Sequence, residues 1–234
     1  MGLGEEGHNV LMSVRVDSPR QDGRWWERRT QCIDVRTGID GAAAGLGGWM
    51  DFPEIHSRRT IRYEGFDYAQ PGAYFVTFCA AKGREFFGRI QDQMMVLNPL
   101  GQIAHDCWRA IPEHHPYVEL DEFVIMPNHG HGVIVIVERS DAGTAGKARV
   151  FGESIKGSLS TIVGTYKAAV TRLARRQGLL PADAVLWHGR FWDHIVRDEA
   201  DFARIRDYIR NNPARWIDDQ LHPQAPPNRF NRWG

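Results

Sequence analysis

The 234-residue chain contains no apolar run approaching the roughly 20 residues that span a bilayer, and its N-terminus has no apolar signal segment. A soluble chain is expected. Cysteine is scarce: Cys32, Cys79 and Cys107 are odd in number and widely spaced, giving neither a disulfide framework nor a zinc-ribbon spacing. They read as reduced thiols of an intracellular protein. An excess of either charge is also missing, since 29 Lys and Arg balance 29 Asp and Glu. Zero net charge argues against coating nucleic acid by bulk electrostatics but leaves local patches open.

With 42% apolar and 25% charged residues the chain can bury a core, and its length fits one domain with appendages. Nine of the 24 glycines lie in the first fifty residues, where Gly41 to Met50 reads GAAAGLGGWM. Residues 1–55 are therefore expected to be a poorly ordered extension, with Met50 an alternative start. Residues 56–217 form the domain, and 218–234 a Pro-rich tail.

Within the domain, a Gln70-Pro71-Gly72 turn leads into a β-branched and aromatic strand, Ala73 to Ala80. Asn98-Pro99 caps and starts a helix with Leu100, Ile103, Ala104, Cys107 and Trp108 at helical spacing. Strands follow over Tyr117 to Met126 and His131 to Val137; the second contains VIVIV, apolar on both faces and hence central. After a Gly/Ala/Ser-rich loop, Glu138 to Phe151, come a helix over Ser158 to Gln177, an aromatic strand over Trp187 to Arg197 and a helix over Asp198 to Trp216. This order predicts an α+β fold: an antiparallel sheet with helices packed on one face, ferredoxin-like in flavour.

Two constellations carry chemistry. His129 and His131, in FVIMPNHGHGVIVIV, are one residue apart, so an extended chain points both imidazoles to one face, where they can share a divalent ion. An HxH at a strand end is equally a chance pair in a chain with ten histidines. In the last helix Tyr208 and Asn212 stand four apart and share a face beside the stripe Phe202, Ile205 and Ile209. That suits a nucleophile next to a metal ligand; alternatively Tyr208 flanks the core and Asn212, ahead of Pro213, ends the helix.

The MPNHxH segment, the block WHGRFWDHIVRDE, the helix ending DYIRNNP and the opening RRTIRYEGFDYAQPGAYFVTFCA together resemble the REP-associated tyrosine transposases, within the single-tyrosine HUH transposases of insertion sequences. The resemblance runs from about Arg58 to Trp216. It implies a ferredoxin-like HUH nuclease core, paired metal histidines at His129 and His131, a third ligand at Asn212 and a nucleophile at Tyr208. Tyr166 is the competing tyrosine, but Val170, four residues on, cannot bind metal. The sequence departs from the family at Gly130, where a bulky apolar residue is usual, and a glycine there is expected to loosen the strand.

By the same resemblance the activity is cleavage and rejoining of single-stranded DNA through a 5′-phosphotyrosine, with Mg²⁺ or Mn²⁺ as cofactor. The partners implied are hairpins of short palindromic repeats, the state a monomer rather than a dimer, and the location the bacterial cytoplasm and nucleoid. Arg204 and Arg206 are candidates for assisting loss of the Tyr208 proton. Five basic residues and no acid lie between Lys156 and Gln177, namely Lys156, Lys167, Arg172, Arg175 and Arg176. With Arg190, Arg197, Arg204 and Arg210 they are the candidate phosphate contacts. Trp187, Phe191 and Trp192 are candidates for stacking unpaired bases or for core packing. Two further readings are a hairpin-binding module without catalysis, and a zinc hydrolase pairing the histidines with Asp121 or Glu122. No HExxH accompanies the latter.

Overall fold

The structure, a computed structural model, describes residues 66–137, 157–228 and 231. The N-terminal extension, the segment from Arg58 to Gly65, the loop Glu138 to Phe151 and Lys156 lie outside the described residues.

In chain order the elements are β1 (Gly72–Ala80), β2 (Gly88–Gln91), β3 (Met94–Leu97), α1 (Pro99–Arg109), α2 (Ile111–His114), β4 (Val118–Ile125), β5 (His129–Ile136), α3 (Leu159–Arg176), β6 (Trp187–Ile195) and α4 (Glu199–Asn211). A four-stranded antiparallel sheet runs in the order β4-β5-β1-β6. The fold is α+β. Strand β5 is buried at every position, its VIVI half apolar on both faces, and it begins at His129 rather than His131. Strands β2 and β3 form a separate hairpin closed by Asp92 and Gln93, both at positive φ, as a two-residue primed turn requires.

Period-two alternation divides the sheet's faces. Tyr74, Val76 and Phe78 of β1, with Ile134 and Ile136 of β5, pack against Leu100, Ala104 and Trp108 of α1 and Ile162 and Tyr166 of α3. Helices α1 and α3 pack on this one face as expected, while α4 lies on the other. The Phe78 ring stacks on Trp108 with centroids 5.3 Å apart and meets Tyr166 edge-on at 5.1 Å. Gly130 and Gly132 point to this side. A Cβ on the first would run into the Phe78 ring, and on the second into Trp108. Gly130 is thus a packing requirement in a strand paired on both sides, to Phe78 and to Ile125, rather than a loosened link.

On the other face lie Phe75, Thr77, His129 and His131, covered by α4. Asp198 caps this helix by accepting from the Asp201 N–H at 2.8 Å. The helix stops at Asn211 instead of reaching Trp216, because Pro213 supplies no N–H; residues Pro213–Asp218 tighten into a 3₁₀ turn. Charge pairs fasten α4 to β4. Arg206 grips Asp121 through two bonds of 2.7 and 2.6 Å, and Arg210 grips Glu122 at 2.9 and 2.5 Å. Neighbouring acids normally face opposite sides of a strand. Here the β4–β5 register shifts between Leu120 and Phe123, and both reach the same helix.

Candidate active site and metal centre

The side chains of one row across the sheet build the floor of the site. His131 of β5 lies opposite Thr77 of β1, and Thr77 opposite Trp192 of β6. His131 Nδ1 is 2.8 Å from Thr77 Oγ1, and its Nε2 is 3.2 Å from the Tyr208 hydroxyl. The two imidazole centroids of His129 and His131 are 4.6 Å apart, as the i, i+2 spacing predicts. The phenol ring of Tyr208 stands edge-on to His131 at 5.1 Å and to Phe75 at 6.0 Å. Asn212 is buried just past the helix end, its Nδ2 3.3 Å from Asp219 Oδ2. The histidine strand and the tyrosine helix therefore meet at one place.

Two buried polar atoms there have no hydrogen-bond partner: His129 Nε2 and Asn212 Oδ1. Such orphans cost of the order of 1–3 kcal/mol each, so a native structure that keeps them calls for a ligand. Asp219 Oδ2 sits 3.9 Å from His129 Nε2, and ligand atoms of His129, His131 and Asp219 all lie within 4.8 Å of one another. Burial lowers the His129 pKa to about 3 and drives that of His131 well below its ordinary value. Both imidazoles are accordingly neutral, and the Asp219 contact is not an ion pair. Neutral imidazole nitrogens, an amide oxygen and a carboxylate are a donor set that suits a divalent cation. This buried His-His-Asp group fits a metal ion.

Sequence reasoning missed three contributors. Asp219 lies in the coil beyond the 3₁₀ turn, in the expected Pro-rich tail; its Oδ1 accepts from the Leu221 N–H at 2.6 Å, and Trp216 packs against His129 at 5.8 Å. Thr77 and Asn128 hold the histidines by their far nitrogens, at 2.8 Å in each case. Asn128 lies inside the MPNHxH segment, directly ahead of His129.

The candidate phosphate contacts separate into two groups. Arg204 and Arg210 are held by Asp201 and Glu122, and Arg206 by Asp121, so none of these guanidiniums reaches the Tyr208 hydroxyl to assist its ionisation. Asp121 and Glu122, being so engaged, are not the carboxylates beside the histidines. Arg172, Arg176, Arg190 and Arg197 are exposed, and Arg175 is exposed while bonding the Ala184 carbonyl at 3.2 Å. Lys167 turns inward and donates to the carbonyls of His188 and Arg190, 3.0 Å each; burial lowers its pKa to about 8. A groove of about 620 Å³ between α3 and β6 collects Lys167, Arg172 and Arg175. Among the aromatics, Trp187 and Phe191 pack against the core, and Trp192 lies on the face that carries the histidines.

A tyrosine hydroxyl held against paired strand histidines on an antiparallel α+β sheet is the arrangement that the resemblance to single-tyrosine HUH transposases implies. No protein-family model matches the chain. An uncharacterised protein of Haemophilus influenzae is 40% identical over 173 residues, covering 72% of this chain and 94% of that protein. A second Haemophilus influenzae protein, provisionally named a REP-associated tyrosine transposase, is 23% identical over 167 residues, covering 71% and 84%. The chain belongs to the same family as the first Haemophilus protein, and its similarity is to the REP-associated tyrosine transposases. Among solved structures, a REP-associated tyrosine transposase bound to a REP hairpin aligns at a TM-score of 0.43 and 19% identity over 66% of this chain and 73% of its own. A provisionally named transposase of Deinococcus radiodurans aligns at 0.37 and 16%, over 64% and 97%.

Proposed function

We propose that this protein is a single-strand DNA transesterase that nicks and rejoins DNA at hairpin-forming repeats. The observation that carries the reading is the Tyr208 hydroxyl 3.2 Å from His131 Nε2, beside the unpartnered His129 Nε2 and Asn212 Oδ1. Tyr208 attacks the backbone phosphorus: its Oη–P bond forms, the P–O3′ bond breaks, and the strand ends are a 5′-phosphotyrosine and a 3′-hydroxyl. The phenolic proton leaves on attack and the 3′ oxygen gains one on departure; the reverse attack rejoins strands with no external energy. His129, His131 and Asn212, joined by Asp219, would hold a Mg²⁺ or Mn²⁺ ion, which supplies positive charge to neutralise the scissile phosphate and stabilise the leaving oxygen.

The protein's own groups prepare the nucleophile. Burial first, and then the negative charge of Asp219, raise the Tyr208 pKa above its ordinary value, so the resting hydroxyl stays protonated and inert. The Tyr208 hydroxyl and His131 Nε2 share a hydrogen bond of 3.2 Å, which aims the oxygen into the site. That nitrogen serves one partner at a time, so the Tyr208 hydrogen bond and a metal bond exclude each other. Arg172, Arg175 and Arg176, with Arg190 and Arg197, provide phosphate contacts. The active unit is a monomer located with the bacterial nucleoid, and the working domain extends past residue 217 to include Asp219 and Leu221.

The test is nicking of a single-stranded hairpin oligonucleotide in Mn²⁺, with a denaturant-resistant protein–DNA adduct as the second readout. Tyr208→Phe should abolish both while leaving hairpin binding intact. Equal nicking by variant and native protein would remove Tyr208 as nucleophile. Binding without nicking in the native protein would leave a hairpin-binding module.

A further inference from the structure

We infer that Asn128 is a positioning residue that fixes the tautomer of His129, so that Nε2 presents a bare lone pair to the site. Asn128 is fully buried in the turn ahead of β5. Its amide nitrogen lies 2.7 Å from the Leu221 carbonyl oxygen and 3.2 Å from that of Gly83. Backbone carbonyls only accept hydrogen bonds, so the amide nitrogen has to face them. The opposite rotation would set an acceptor against two acceptors in a buried place. The amide oxygen is therefore the atom 2.8 Å from His129 Nδ1, and since it too can only accept, Nδ1 carries the ring hydrogen. In a neutral imidazole the other nitrogen is then unprotonated.

The surroundings of Nε2 agree. It is buried with no hydrogen-bond partner, and the carboxylate oxygen of Asp219 at 3.9 Å is beyond hydrogen-bond reach. A lone pair on Nε2 beside a carboxylate is poised for a cation. His131 differs. Its Nδ1 faces the Thr77 hydroxyl and its Nε2 the Tyr208 hydroxyl, groups that each donate or accept, so both tautomers remain open to it. One histidine is preset and the other free to exchange partners. Through Leu221 the same amide ties the preset histidine to the segment that carries Asp219.

The purpose of this device rests on the metal reading given above, but its detection does not. Two-bond ¹H–¹⁵N correlation of the metal-free full chain reads each imidazole nitrogen as protonated or bare. The native protein should show His129 with Nδ1–H and a bare Nε2, and Thr77→Val should leave that signal in place. Asn128→Ala should mix the His129 tautomers and weaken Mn²⁺ binding, measured by calorimetry, about 10- to 100-fold. A protonated Nε2 in native His129 would overturn the inference without any variant, which covers the case where Asn128→Ala does not fold. A folded Asn128→Ala protein with the native tautomer and native Mn²⁺ affinity would overturn it as well. A bare Nε2 in a native protein that binds no Mn²⁺ would sustain the tautomer assignment and refute the metal reading instead.

Discussion

Replacing Gly130 by alanine sets a methyl group against the Phe78 ring, and the cost can be worked from what surrounds that ring. Phe78 is fully buried, with Trp108 stacked at 5.3 Å, Tyr166 edge-on at 5.1 Å and Trp187 at 5.7 Å. It has nowhere to retreat, so either β5 bows away from β1 or the aromatic cluster repacks. Overpacking of this kind costs about 1–3 kcal/mol. Alanine recovers roughly 0.5–1 kcal/mol of backbone entropy relative to glycine, leaving a net loss of about 0.5–2 kcal/mol. Valine should exceed about 3 kcal/mol, since its extra carbons meet the same ring. Urea unfolding followed by tryptophan fluorescence measures this as a lower midpoint at unchanged slope. Shrinking the ring by Phe78→Leu should relieve part of the loss, giving a favourable coupling of at least about 0.5 kcal/mol in a double-mutant cycle. An alanine variant as stable as the native protein, or a double mutant whose losses simply add, would refute the steric account of Gly130.

Other perturbations test the fastening of α4 and the DNA surface. Arg206→Gln should leave the mostly buried Asp121 without its bidentate partner, costing about 1–3 kcal/mol and raising amide exchange in α4 ahead of the sheet. Burial alone would raise the Asp201 pKa, but the His194 bond at 2.7 Å, the Arg197 N–H and Arg204 together hold it at about 2. Its stabilisation is therefore present above the unfolded value of 3.8 and is lost as pH falls from there towards 2. Asp201→Asn should flatten the stability–pH curve in that window, and an unchanged curve would exclude the linkage. For hairpin binding, Arg172→Ala and Arg176→Ala should each reduce the slope of log K against log salt by about one. Arg210→Ala should leave that slope nearly unchanged, because Glu122 already neutralises it.

Much of this arrangement was legible because it is local. The i, i+2 histidines, the i, i+4 Tyr208–Asn212 pair and the apolar run of β5 are periodic signals, and the backbone expresses them directly. Apolar spacing that continues to Trp216 sets the end of α4 too late; the missing N–H of Pro213 ends the helix at Asn211. What could not be read were contacts made across the fold. Thr77 reaches His131 from 54 positions away, and Arg206 reaches Asp121 from 85. Asp219 carries no periodic mark in its coil, and only the tertiary structure brings it to the histidines. The short strand β2, GRIQ, is alternately exposed and had too little apolar content to register.

Strand β5 also bears on how this site can change. Its odd positions from His129 to Val135 share the face that carries the site, and its even positions from Gly130 to Ile136 meet the aromatic core. A single inserted or deleted residue in the Pro127-Asn128 turn would exchange the two sets. Imidazoles would then be driven into Phe78 and Trp108, and glycines would be offered to Tyr208. Intermediate registers do not exist on a pleated strand. The histidine pair can thus be retuned by substitution around it, at Asn128, Thr77 or Asp219, but its placement along the chain is inherited whole or lost.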